Sequence, residues 1–219
     1  MTADGLVDYE AFARAPSFQR YLDALDAVDL GAMDRDERLA LWINAYNAYT
    51  IRLINAHGER ESIRNINRTL GILPGKGPWQ ERMARVGGRA HTLDEIEHEI
   101  IRPRFGEPRI HFALVCAAIG CPPLRREAYT GDRLDEQLDD QARRFLLEDP
   151  SRNRVDVASR TVYLSPIFDW YREDFPVGDD GLGRYLAEFF PPGPERALLE
   201  SGRFDVRHTE YDWSLNGRG

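Results

Sequence analysis

The chain is nearly devoid of lysine, has two cysteines, and contains no hydrophobic run long enough for a bilayer. Lys76 is the single lysine among 29 basic residues. The rest are arginines, which stay charged and make forked contacts to carboxylates or phosphates, a bias that genomic base composition explains most simply. Acidic residues outnumber basic ones, 37 to 29, for a net charge of −8 and a pI near 5.2. Without surplus cations to displace condensed counterions, nucleic acid is excluded as a generic partner. No apolar stretch approaches the roughly 20 residues of a membrane-spanning helix, so no span is expected. The first five residues carry no basic segment with an apolar core, which makes the cytoplasm the default location, or the periplasm or exterior if a leader has been removed. Two cysteines allow at most one disulfide. One closing the four residues between Cys116 and Cys121 would constrain little of the unfolded chain, so no structural staple is expected. The Gly/Pro-rich stretch 71–79 lacks Walker spacing and reads as a flexible rim, and no cofactor is expected.

What is present suits a folded protein: 219 residues, 42% hydrophobic and 11% aromatic, without repeats or linkers. Phe18, Leu22 and Leu25 mark an amphipathic helix. Asp34-x-x-Glu37 is a capping box opening a second helix that runs to about His57. Between Leu39 and Ile54, 12 of 16 residues are apolar, so this helix is central and takes Asn44 and Asn47 into the interior, where their amides must find partners. They either brace a neighbouring loop or orient a site. Gly87-Gly88 predicts a tight hairpin. Thr92-x-x-Glu95 starts a helix ending before Pro103, with Asp94 and His98 one turn apart. A helix follows over Leu134 to Leu146, then hairpin strands at Val155 and Thr161–Leu164, a helix opened by Ser165-Pro166, and a strand around Val206.

His111 to Leu124 (HFALVCAAIGCPPL) carries both thiols and a histidine beside a short apolar run that stops at a proline pair. Such a run reads as a buried strand delivering its end to a loop. Period two would turn His111 and Cys116 to opposite faces, while Cys121, beyond the Gly120 bend, would be the more accessible thiol. Three chemistries compete here: thiol nucleophile, metal site and disulfide. A thiol enzyme needs a thiolate, a base and a group orienting the base. Cys121 or Cys116 with His98 or His111 supplies the first two, and Asp94, Glu97, a helix asparagine or Asp212 the third. Tetrahedral zinc on His98, His111, Cys116 and Cys121 ranks lower, because neither Cys-x-x-Cys nor His-x-x-x-His occurs. A non-catalytic ligand- or protein-binding domain lined by Trp42, Tyr46, Trp170, Tyr171 and Trp213 ranks second.

Five ordered blocks, WINAYN (42–47), DEIEH (94–98), HFALVCAAIGCPPL (111–124), FDWY (168–171) and YDWSLN (211–216), resemble the domain of unknown function 547. The resemblance spans nearly the whole chain. A looser similarity to transglutaminase-like and papain-like cysteine enzymes pairs a thiol with a histidine. The expected fold is α+β: one helix-rich domain over residues 1–219, around a small mixed sheet with short hairpins that includes the His111 segment. The expected activity is a cysteine-dependent hydrolase or acyl transferase using Cys121, Cys116, His98, His111, Asp94 and Glu97. Asn44, Asn47, Tyr46 and Asp212 would bind or orient a small-molecule or peptide substrate.

Overall fold

The computed structural model describes residues 5–67 and 77–218. Helices α1 (Tyr9–Arg14) and α2 (Pro16–Ala27) lead to α3 (Arg35–His57). The α3 capping box forms as the sequence implies: the Asp34 carboxylate accepts from the Asp36 and Glu37 amides, and Glu37 returns the contact to the Asp34 amide. The helix stops at Gly58, whose φ of +59° suits a residue without Cβ and whose N–H satisfies the last carbonyls. Being apolar nearly all round, α3 is the axis of the larger hydrophobic cluster, with Leu39, Ile43, Leu53 and Ile54 fully buried.

Strands β1 (Ala84–Val86) and β2 (Arg89–His91) form the Gly87-Gly88 hairpin. The next helix does not stop before Pro103. It runs through α4 (Leu93–Glu95), a π-helical turn (Ile96–Ile101) and α5 (Arg102–Phe105), with Pro103 inside α5. Proline lacks an N–H and its ring collides with the carbonyl four residues back in a regular α-helix. The π turn, in which the Arg102 amide bonds the carbonyl of Glu97, widens the coil ahead of it.

After α6 (Leu134–Leu147) come β3 (Arg154–Asp156), β4 (Thr161–Leu164), α7 (Ile167–Trp170), α8 (Asp179–Ala187), α9 (Pro194–Ser201) and β5 (Asp205–His208). Strand β4 pairs antiparallel with β3 and parallel with β5, a small mixed sheet covered by a second cluster around Phe112, Phe145, Phe168 and Phe175. The architecture is α+β, as expected. Of the rim loop, residues 71–76 lie outside the described residues; its end forms a 3-10 turn at Pro78–Gln80. No helix among the described residues is long and apolar enough to cross a membrane.

A second expectation fails. The His111 segment is not a strand: residues Pro108–Phe112 form a 3-10 helix opened by Pro108 and capped by the Glu107 carboxylate, and an irregular loop follows. Glu-Pro is a helix-start signal, and a short apolar run does not by itself distinguish a strand from other buried backbone.

Burial of an irregular loop requires partners for its peptide groups. Asn47 supplies two: its Nδ2 donates to the Ala113 carbonyl at 2.9 Å and its Oδ1 accepts from the Val115 amide at 2.8 Å. Asn44, half-buried, brackets Tyr129 in the same way, at 2.7 and 2.9 Å. Both asparagines therefore brace loops rather than reach a histidine or a sulfur. Asn47→Ala would strand two buried groups and lower unfolding free energy by about 2–4 kcal/mol, and Asn44→Ala by about 1–2 kcal/mol. Denaturant titration measures both, and losses under about 0.5 kcal/mol would remove the bracing role.

Candidate functional site

Beside the loop, a cavity of about 290 Å³ gathers residues from six separate stretches of chain, one of them the end of the rim loop with Trp79. From α4 and the π turn come Asp94, Glu97 and His98; from the 3-10 helix, His111; from the loop, Cys116 and Cys121. Tyr46 reaches in from α3, Trp170 and Tyr171 from the end of α7, and Tyr211 and Trp213 from the tail.

The tail is held in place by the sulfur loop itself. The amides of Ile119 and Gly120 donate to the carbonyls of Ser214 and Asp212, and the Asn216 amide donates to the carbonyl of Ala117. Ala117 has a φ of +63°, an unfavourable conformation for a residue with a Cβ. At Gly120 a Cβ would stand 3.0 Å from three atoms of the Tyr211 ring, so glycine lets that ring lie against the backbone.

Cys116 and Cys121 are joined in a disulfide. Of the three chemistries open to this pair, the folded chain holds the disulfide, although the short loop it closes gives no expectation of a structural staple. The left-handed turn at Ala117 folds the five-residue step so that the two Cα atoms are 6.2 Å apart, inside the range a disulfide spans. Accessibility is also reversed: Cys121 is 2% exposed, whereas Cys116 is half-buried. Strand parity does not apply, and His111 and both sulfurs line one cavity. The Tyr211 hydroxyl lies 3.1 Å from each sulfur, and the Cys116 amide donates to the Cys121 Sγ at 3.0 Å.

His111 is oriented by Asp174, a residue the sequence reading did not single out. Its Nε2 lies 2.7 Å from Asp174 Oδ2. Arg102 clamps the same carboxylate with Nε and Nη2 at 2.5 and 3.0 Å. The His111 ring stacks on Tyr171 with centroids 4.0 Å apart. Burial lowers the His111 pKa, and Asp174 only partly offsets this. The ring is therefore neutral at pH 7, donating from Nε2 and keeping its lone pair on Nδ1. Burial pushes Asp174 up, but the hydrogen bonds from Arg102 and His111 outweigh it and leave its pKa lowered.

His98 Nδ1 receives Arg102 Nη1 at 2.9 Å; an arginine only donates, so the proton of His98 sits on Nε2, which faces Asp94 Oδ1 at 3.8 Å. Glu97 is 6% exposed. The Tyr46 and Tyr171 hydroxyls are raised by burial and by the Glu97 carboxylate they hydrogen-bond. Asp212 is exposed and caps the Ser214 amide, outside the cavity lining. Among the described residues no group of three or more His, Cys, Asp or Glu is arranged to hold a metal ion. In the oxidised form the two sulfur donors of the zinc arrangement are bonded to each other.

A model of a protein family described as "Protein of unknown function, DUF547" matches residues 30–146, more than half of the chain. The chain belongs to this family. No curated protein and no solved structure matches it. The looser likeness to transglutaminase-like and papain-like enzymes has no counterpart in these comparisons. The DUF547 match contains both sulfurs, both histidines, Asp94 and Glu97, whereas Asp174 and the wall formed by Trp170, Tyr171, Tyr211 and Trp213 lie beyond it.

Asp174 and Arg102 carried no sequence signal as partners of His111, being 63 and 9 positions away; the nearest cue was that Asp174 follows the FDWY block by three residues. A lowered His111 pKa means the unfolded chain, titrating near pH 6.5, binds protons before the folded protein does. The stability this contributes is complete above about pH 6.5 and is lost as pH falls through that value toward the lower folded pKa. Asp174, also lowered, adds a loss below about pH 4. Melting temperatures measured from pH 7.5 to 4.5 should fall less steeply in His111→Gln than in the parent between pH 7 and 5. Equal slopes would mean that the His111 ring is not buried as a neutral group.

Proposed function

We propose that this DUF547 protein is a cysteine-dependent hydrolase or acyl transferase, working in its reduced form on a small-molecule or peptide substrate. The observation that carries the reading is that two sulfurs and a carboxylate-oriented histidine line one cavity. Cys121 is the proposed nucleophile. Its sulfur already receives the Cys116 N–H and the Tyr211 O–H, and hydrogen bonds to a thiolate lower its pKa.

In the proposed cycle an external dithiol reduces the Cys116–Cys121 bond and leaves as its own disulfide. His111, through Nδ1, takes the Cys121 proton. The thiolate attacks an acyl carbon, and the resulting imidazolium protonates the leaving group as the thioester forms. His111 then takes a proton from water, or from an acceptor alcohol or amine, whose attack releases the acyl group and restores the thiol. Asp174 holds the tautomer and stabilises the transient imidazolium, with Arg102 fixing the carboxylate. The disulfide is the resting, protected state of the nucleophile, suited to an oxidising compartment.

A second reading, a non-catalytic binding domain, is favoured by the bonded sulfurs and by the aromatic lining of the cavity. Thiol chemistry separates the two. Iodoacetamide should leave the oxidised protein unmodified and, after dithiothreitol, label Cys121 with a pH midpoint well below the free-cysteine value of about 8.5. His111→Gln should move that midpoint back toward 8.5. Asp174→Asn should reduce turnover of an activated ester on the order of 10²-fold or more. A reduced protein whose thiols titrate normally, or do not react, leaves the binding domain as the better account.

A further inference from the structure

The cavity has more aromatic surface and more negative charge than a thiol nucleophile requires. Trp170, Tyr211 and Trp213 form one continuous wall, with centroid separations of 4.6–5.7 Å, and Trp79 meets Trp213 edge-on at 6.2 Å. Ring faces carry negative quadrupole potential and attract cations held within about 6 Å. Two of the lining rings already do so within the protein: the Arg64 guanidinium lies 5.0 Å from the Trp213 centroid, and that of Arg102 lies 5.3 Å from Tyr171.

The formal charges of the lining have one sign. Glu97 is 94% buried and Asp94 stands at the side, while among the described residues no Arg or Lys lines the cavity. His98 presents a proton to Asp94 rather than a positive charge to the interior. An anionic ligand would meet two carboxylates and no cation in the lining itself, the nearby Arg102 being engaged by the Asp174 carboxylate. Trp170, 47% exposed in a chain that buries most of its large apolar residues, offers a ring at the mouth. The net charge of −8 adds long-range attraction for a cation.

We propose that this cavity binds an alkylammonium group, received by the Trp170–Tyr211–Trp213 wall and by Glu97, and that the substrate of the site carries such a group. Only the word substrate rests on the enzyme reading; the binding does not require a reactive thiol.

The test uses the oxidised, full-length protein, in which no thiol reacts. Binding is followed by tryptophan fluorescence and calorimetry for n-butylammonium and acetyl-lysinamide, each against its uncharged isostere, n-butanol and acetyl-norleucinamide. At least one ammonium probe should bind about tenfold or more tighter than its isostere, and the tighter of the two identifies a free amine or a peptide side chain as the source. Glu97→Gln should cut that preference severalfold. Trp170→Leu, at a position 47% exposed, should do the same while circular dichroism shows the protein still folded. Isosteres binding as tightly as the ammonium probes, no binding of any probe, or a preference unaffected by Trp170→Leu would overturn the proposal. Thiol labelling of the reduced protein reports separately on the enzyme reading, so either can fail while the other stands.

Discussion

The buried, irregular backbone of residues 113–121 sets the requirement that the rest of the site answers. A loop under the protein surface cannot leave its peptide groups to water, and each unpaired group costs about 1–3 kcal/mol. Helix α3 supplies Asn47, and the C-terminal tail supplies carbonyls and an amide along residues 117–120. The tail is itself tied down. Its Leu215 amide bonds the Glu61 carbonyl, its Asn216 carbonyl takes the Val7 amide, and Asn216 Oδ1 accepts the Tyr9 hydroxyl at 2.5 Å. Satisfying the sulfur loop therefore draws together both ends of the described chain. The placement of Tyr211 and Trp213 over the cavity follows from that hydrogen bonding.

A second consequence concerns charge. His111 is buried and neutral, and its one strong partner, Asp174, is shared with Arg102. A carboxylate facing only a neutral imidazole would be poorly compensated; the bidentate guanidinium compensates it and leaves the histidine free to stay unprotonated. Arg102 also meets His98 and Tyr171, so one cation organises both histidines. It sits where the π turn gives way to α5, and the extra width needed ahead of Pro103 thus coincides with the residue on which the site's electrostatics converge.

Local rules made much of the fold legible. The Asp34 and Thr92 capping boxes, the Gly87-Gly88 hairpin and the β3–β4 pair are written in contiguous residues, and periodicity placed α3 at the centre. The sulfur loop was misread because its apolar residues are buried on every side, which erases the periodicity separating strand from coil. The disulfide was discounted on loop-closure entropy, a property of the unfolded chain. What brings the sulfurs together is a feature of the folded one, the positive φ at Ala117, which no residue type announces.

The site was half legible for a related reason. Asp94, Glu97, His98, His111 and the cysteines carry recognisable chemistry in short blocks, and all of them line the cavity. Asp174 and Arg102 are ordinary surface residue types until the chain packs, and only tertiary structure makes one the orienter of His111 and the other its counter-charge. The asparagines show the converse. Their spacing on a buried helix correctly demanded partners, but the need for a partner does not say which one, and backbone met it. The DUF547 match ends before Asp174 and the aromatic wall, so the sulfurs and their histidine belong to one part of the chain while the orienting carboxylate and most of the rings belong to another. The aromatic lining of this cavity is therefore built largely by side chains outside the segment that supplies its sulfurs and histidines.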